Sequence, residues 1–370
     1  ERPFNREIAK GVVVNEALLS RASDLVVVCA NSDGAFFESA FGVPPERLYV
    51  APNGVFTGRI RPADPAAHAD AKASLGIRGL LSIFVGSNYA PNVEAVRFIA
   101  EELCPRFPAM TFAACGGVGT NDVLRSSRPR NLLLPGVISD EEKLRYLQAS
   151  DLAVNPMFSG SGTNIKMFDF MAAGLPIVST PAGARGIAER SGAGMSIAGE
   201  DEFADALAGL LRHPARLRAL GRASRRMAEE DFSWERISPA LGNRLRVAVE
   251  ARRVRPTGPV TAAGSSSVSS CNEERLPASI EHPGPIAIMS TWGVRCGIAE
   301  YSAYLTVALV RHGVPVVILG NDMTGFDSPE QGSHARTLLA GLFRVWKWDN
   351  VNWRDGRVDF EASRAAIAEA

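Results

Sequence analysis

The sequence predicts an α/β fold built on a doubly wound parallel sheet, followed by a second, partial unit of the same kind. Three observations carry this prediction. Apolar runs of strand length alternate with helical patterns through the first half of the chain, as parallel strands joined by crossover helices do. Several of those runs end in glycine-containing turns, at Gly86, at Gly136 and at Gly160 with Gly162. Beyond a stretch rich in Pro, Ser, Gly and Ala at 254–284, a strand, turn, helix and strand pattern begins again.

The elements follow in chain order. A helical stretch at 15–22 leads into "DLVVVCANS", a polar helix and "RLYVAPNGV". "HADAKASLGI" reads as a polar helix ending at Gly76. Leu80 to Val85 is an apolar strand meeting a Gly-Ser-Asn turn, and a helix from about Asn92 carries Val93, Val96, Ile99, Ala100 and Leu103 on one face. "MTFAACGG" and "NLLLPGVI" are strands running into turns, "SDEEKLRYLQAS" is a helix opened by a Ser-x-x-Glu cap signature, and "DLAVNPM" is a strand. Leu175 to Thr180 is a buried strand. From Glu200 to Arg253 the pattern is helical. Its arginines 212, 216, 218, 222, 225 and 226 read as a solvated face, with an anionic membrane surface as the alternative partner. Residues 254–284 read as a flexible linker. The segment from 285 to 370 is short for a complete doubly wound domain.

Forty basic and forty acidic residues cancel, so no global field draws the chain to nucleic acid. Five cysteines are scattered without metal-ligand spacing, which points to reduced thiols and a cytoplasmic setting. The five histidines (68, 213, 282, 312 and 334) are dispersed and read as structural, so no metal site is expected. The apolar runs fall far short of the roughly 20 residues that span a bilayer. The chain opens on Glu-Arg-Pro, without a signal peptide or initiator methionine, and reads as a fragment or a processed product.

Residues 159–178, "SGSGTNIKMFDFMAAGLPIV", carry the candidate chemistry. Small residues leave the backbone bare, and Gly160 and Gly162 take side chains out of a ligand's path. A helix is expected from about Thr163, capped by Ser161 or Thr163, with Ile165, Phe168 and Ala172 at helical spacing. Lys166 and Asp169 then neighbour each other away from the apolar face. A bare loop entering a helix with lysine in its first turn is a socket for an anion. The same residues also fit a capped helix with a surface ion pair. Turns at Gly86, Gly136, 159–164 and 181–186 should converge at the carboxyl edge of the sheet, where ligands bind, and this favours the socket.

Taken together, "FVGSNYAPNVEAVRFIAEEL", "LLLPGVISDEEKLRYLQASDLAVNPM", "GSGTNIKMFDFMAAGLPIVSTPAGARGI" and "FSWER" resemble the nucleotide-sugar-binding half of a GT-B glycosyltransferase. The type is the retaining group called family four, or group one. Residues 1–60 resemble the end of that enzyme's acceptor-binding half and 61–253 its Rossmann-like donor domain with C-terminal helices. Residues 285–370 resemble the opening of a second such enzyme. The resemblance implies a metal-independent hexosyltransferase without cofactor, moving a sugar from a nucleotide diphosphate to a hydroxyl of a glycan or lipid-linked acceptor, with anomeric retention. Bacterial polysaccharide assembly, in the cytoplasm or at the inner face of the membrane, is the implied setting. The missing N-terminal half is an implied partner.

By the same resemblance Gly160, Ser161, Gly162, Thr163 and Asn164 hold the donor diphosphate, Lys166 neutralises it as it leaves, and Asp169 binds the ribose hydroxyls. The backbone of Val137 and Ile138 meets the base, and Gly86, Ser87 and Asn88 close over the phosphates. Two departures stand out. Ser161 occupies a position where many relatives have glutamate, and "GSNYAPN" lacks the basic residue that many relatives place after this strand. The diphosphate charge then falls to Lys166, the helix end and Arg185. Three other readings compete. A dehydrogenase would use "CGGVGTND", which lacks the third glycine of the dinucleotide fingerprint. A sugar-nucleotide epimerase shares the two-half architecture, and a truncated chain would bind nucleotide without catalysis.

Overall fold

The structure, a computed structural model, describes residues 23–160, 162–187 and 194–254, three residues just upstream (Ala17, Ser20, Arg21), and the backbone of five short strands between Ile286 and Val358. Most of the helix expected at 15–22 and all of the linker expected at 254–284 beyond Val254 lie outside the described residues; Val254 itself ends a helix.

Strands and helices alternate as the apolar pattern requires. Strands β1 (Val26–Val28) and β2 (Leu48–Val50) pair in parallel across helix α1 (Asn31–Phe41). This helix is not the polar one expected, because Phe36, Phe37 and Phe41 pack edge to face on it. Helix α2 (Pro65–Ser74), capped by the Asp64 carboxylate, leads to β3 (Leu80–Val85). Helix α3 (Ala90–Phe98) starts two residues before the expected Asn92, with Pro91 in its first turn, and runs on through a π-helical stretch at Ile99–Leu103. There follow β4 (Met110–Cys115), α4 (Asp122–Ser126), β5 (Leu132–Gly136), α5 (Asp140–Ala149), β6 (Leu152–Asn155), α6 (Lys166–Ala172), β7 (Ile177–Ser179) and β8 (Ser196–Ile197). Three helices close the unit: α7 (Glu200–Leu211), α8 (Pro214–Glu230) and α9 (Trp234–Val254). The Ser-x-x-Glu signature at the start of α5 forms a reciprocal capping box between Ser139 and Glu142.

Strands β3 to β8 make one parallel sheet in the order β5-β4-β3-β6-β7-β8. Its strands alternate their side chains between two cores. Leu81, Ile83, Ala113 and Cys115 face α5 and α6, whereas Phe84, Phe112 and Ala114 face α3 and α7. Apolar burial on both faces is what a doubly wound sheet demands, and it accounts for the nearly continuous hydrophobic strands. Downstream, β9 (Ile286–Met289), β10 (Val316–Gly320) and β11 (Phe343–Val345) pair in parallel, while Val351–Asn352 and Arg357–Val358 pair antiparallel.

Two expectations need correction. The strand after Gly174 is confined to Ile177–Ser179. Arg225 does not belong to a solvated face: its guanidinium donates to the carbonyls of Thr57, Ile60 and Ala172 and pairs with Glu229. The other five arginines of that run are exposed.

At the amino edge of the sheet, away from the turns discussed below, Asp151 fastens α2 to the central strands. Its carboxylate accepts from Lys72 Nζ at 2.6 Å and from the Leu81 amide at 2.7 Å, with His68 Nε2 at 3.4 Å. Asp151→Ala should leave Lys72 with the Gly79 carbonyl but no countercharge, and the Leu81 amide unanswered, lowering stability by about 2–3 kcal/mol in urea unfolding. A change under about 0.5 kcal/mol would show that this knot is solvated in effect.

Candidate functional site

Strand order reverses between β3 and β6, the two central strands, so the chain leaves their carboxyl ends in opposite directions. A crevice at that point is where open α/β sheets bind ligands. The turns after β3, β4 and β5 are tied into one row by backbone bonds: Gly86 N to Cys115 O, Val118 N to Gly86 O, and Gly116 N to Gly136 O, all between 2.8 and 3.0 Å. Gly116 has φ +99°, and a Cβ there would lie 2.5 Å from Gly86 O; one on Gly119 would lie 2.8 Å from Gly136 N. The glycines of "CGGVGTND" therefore serve close packing of turns, which removes the feature on which a dinucleotide reading rested.

The loops after β6 and β7 interlock in the same way. Asn164 Nδ2 donates to Gly183 O at 3.2 Å, Arg185 Nη1 donates to Gly160 O at 3.1 Å, and Asn155 Nδ2 donates to Gly183 O at 3.1 Å. A Cβ on Gly183 would sit 2.7 Å from Asn155 O. The turns at Gly86, Gly136, 159–164 and 181–186 thus meet at one edge, as the strand pattern implies.

The helix bearing Lys166 begins at Lys166 itself, not near Thr163, and has no side-chain cap. The Met167 and Phe168 amides are already taken by the Asn164 and Ile165 carbonyls, so this seven-residue helix offers little of its own dipole. The Lys166 side chain crosses the crevice to α3 instead of pairing with Asp169. Its Nζ donates to Asn92 Oδ1 at 2.8 Å, lies 3.7 Å from Met157 Sδ and sits 3.8 Å from the centroid of the Phe84 ring. Asn92 in turn donates to Ser87 O at 3.1 Å, linking the lysine to the turn after β3. Among the described residues no carboxylate pairs with Lys166, and the surface ion pair with Asp169 is not formed. The residue keeps some exposure, yet its ammonium is enclosed, and this desolvation pushes its pKa well below the usual lysine range.

Asp169 reaches the other way. Its Oδ2 lies 3.2 Å from Lys143 Nζ of α5, and the two side chains line a pocket with Gly54, Phe56, Arg59 and Ile165. Lys166 and Asp169 thus share one turn of helix but serve opposite ends of the crevice.

Of the other residues singled out from sequence, Gly86, Ser87, Asn88, Gly160, Gly162, Thr163, Asn164 and Arg185 lie in these interlocked loops, and Ser161 falls outside the described residues. Val137 is 54% exposed and Ile138 packs against the core beside it. Sequence reasoning missed Asn92, Phe84 and Lys143. In the sequence Asn92 marks only a helix start, and its place one turn after the Gly-Ser-Asn turn is the signal that could have found it.

Residues 80–213 match the family described as "Glycosyl transferases group 1". The chain is 31% identical over 267 residues to the D-inositol 3-phosphate glycosyltransferase of Rhodococcus opacus, covering 66% of this chain and 57% of that protein. It is 27% identical to the MMP alpha-(1->4)-mannosyltransferase of Mycolicibacterium hassiacum, over 62% of this chain and 55% of that one. It therefore spans little more than half the length of these relatives. Among solved structures, sucrose-phosphate synthase of Thermosynechococcus elongatus is similar with TM-score 0.55 at 18% identity, over 65% of this chain and 62% of that one. HepE of Anabaena, in complex with UDP and glucose, is similar with TM-score 0.52 at 16% identity, over 62% and 64%. These two likenesses concern the fold. Among the described residues no helix is long and apolar enough to cross a membrane.

The enclosed ammonium makes a prediction about the unliganded chain. Between the lowered folded pKa and the ordinary value near 10.5, the unfolded chain binds more protons than the folded one, so stability rises with pH across that window. Below it the desolvation penalty is present in full. Lys166→Met should therefore raise stability at neutral pH, on the order of 1 kcal/mol, and the advantage should shrink as pH approaches 10. Thermal melting of both chains from pH 6 to 10 checks this; a variant less stable at every pH would refute it.

Proposed function

We propose, from the match of residues 80–213 to the group 1 glycosyltransferases, that this chain forms the donor side of an enzyme transferring a sugar from a nucleotide diphosphate sugar to an acceptor hydroxyl, with retention. The observation that supports this most is the Lys166 ammonium, enclosed at the switch point of the sheet with neutral partners alone among the described residues. A diphosphate supplies the countercharge that the fold withholds. As the bond from the anomeric carbon to the diphosphate oxygen breaks and the bond to the acceptor oxygen forms, negative charge grows on the leaving group. A desolvated cation stabilises that charge more than the ground state.

In this reading the loop residues Gly160, Ser161, Gly162, Thr163 and Asn164 hold the diphosphate with Gly86, Ser87, Asn88 and Arg185. Asp169 accepts from the ribose hydroxyls, and the backbone at Val137 and Ile138 meets the base. No metal or cofactor is part of the proposed reaction. Relatives named for inositol phosphate glycosyl and mannosyl transfer, and a fold neighbour solved with UDP and glucose, support a nucleotide sugar as donor. The β1–α1–β2 unit is assigned to the edge of the acceptor-binding half, and the strands from Ile286 onward to the start of a second such half. Limited proteolysis that releases no stable piece ending near 254 would refute that division.

The decisive experiment is calorimetric titration of the chain with UDP, GDP and ADP. One of them should bind in the micromolar range, and Lys166→Met should weaken it on the order of 100-fold while the variant stays folded. Equal affinity in the two chains, or no binding of any nucleotide, overturns the reading.

A further inference from the structure

We infer that Lys143 is a positioning residue for Asp169 and thereby sets the preference of the site for ribose over deoxyribose. The inference rests on the donor-site reading above. Lys143 Nζ stands 3.2 Å from Asp169 Oδ2, and the two side chains keep only 17% and 19% of their exposure. They belong to different helices, α5 and α6, so the pair is not a local pairing along one helix. It is set by the packing of those helices on a shared core, where Leu144 and Ile165 also sit.

A second contact holds the lysine from behind. Asp140 Oδ1 lies 3.9 Å from Lys143 Nζ, and the other Asp140 oxygen receives Arg59. Charges therefore alternate along Arg59, Asp140, Lys143 and Asp169, and all four line one pocket. Removing the lysine takes away the cation at Asp169 Oδ2, while Asp140 keeps Arg59, so the change falls on the orientation of Asp169.

The geometry matters because a vicinal diol asks for two acceptors at a set orientation. A carboxylate oxygen has two acceptor directions, so Oδ2 can take the lysine and still accept a hydroxyl. A cation on Oδ2 also fixes the plane of the carboxylate, and so the direction of Oδ1. An aspartate rotates about two side-chain torsions, and its partner decides which orientation persists.

The test is a ratio, which a merely structural contribution would not change. UDP, GDP and ADP and their 2′-deoxy counterparts are titrated into the full chain, Lys143→Met, Lys143→Arg and Asp169→Ala, with thermal melting as the folding control. The wild-type chain should favour the ribonucleotide by about ten-fold, as a hydrogen bond to a charged group does. In Asp169→Ala and Lys143→Met the preference should fall to within about two-fold, with deoxynucleotide affinity unchanged, and Lys143→Arg should restore most of it. If Asp169→Ala loses the preference but Lys143→Met keeps it, the inference fails and the donor-site reading stands. A preference retained in Asp169→Ala, or no binding by the unaltered chain, overturns the ribose reading and this inference with it.

Discussion

The contact between Lys166 and Asn92 joins the two halves of the sheet at the point where their winding directions part. It reaches from the first residue of α6 to the first turns of α3, across the carboxyl ends of β3 and β6. A second side-chain bond, from the Ser159 hydroxyl to the Glu94 carboxylate at 2.6 Å, ties the same loop to α3, so two side-chain bridges span the crevice. The partners available to the ammonium are an amide oxygen, a thioether and an aromatic face. Together they soften the desolvation of a cation without cancelling it. A fold that keeps such a group sacrifices stability in its empty state, and departures of this kind gather at sites of chemistry.

Much of the frame was readable from residue pattern alone. The alternation of Leu81 and Ile83 with Phe84, and of Ala113 with Phe112, is a direct imprint of a sheet covered on both sides. Glycines at strand ends marked the turns, and the Ser-x-x-Glu signature marked the start of α5. What stayed hidden depended on rotation and on distant partners. Spacing of three correctly makes Lys166 and Asp169 neighbours on a helix. It cannot say that the lysine side chain crosses the crevice to α3 instead of pairing with the aspartate. Lys143 is one charge among several in a polar helix, and only the seating of α5 and α6 on a common core makes it the partner of Asp169.

Arg225 shows the same limit from the other direction. A row of arginines at helical spacing looks solvated, yet one member of it closes the carbonyls at the end of α6 and at Thr57 and Ile60. Those carbonyls are the acceptors that a helix end and an irregular crossing segment leave over, and a fork of donors satisfies several at once. With the Val55 to Ser233 bridge, this fastens residues 54–60 to α6, α8 and the start of α9, on the far side of the division expected at residue 60.

The interlocked turns limit how such a site can diversify over generations. Where backbone meets backbone at Gly116 and Gly119, any side chain would displace a neighbouring turn as well as its own, and at Gly183 it would strike Ser179 and Asn155, so substitution at these positions disturbs the crevice itself. Novelty in ligand choice must enter through the few side chains that stand clear of the lattice of loops. Tyr89 and Val137, each more than half exposed at the rim, are two such places. The packed floor and the open rim divide the labour: one fixes the shape of the crevice, and the other leaves room for side chains of different size.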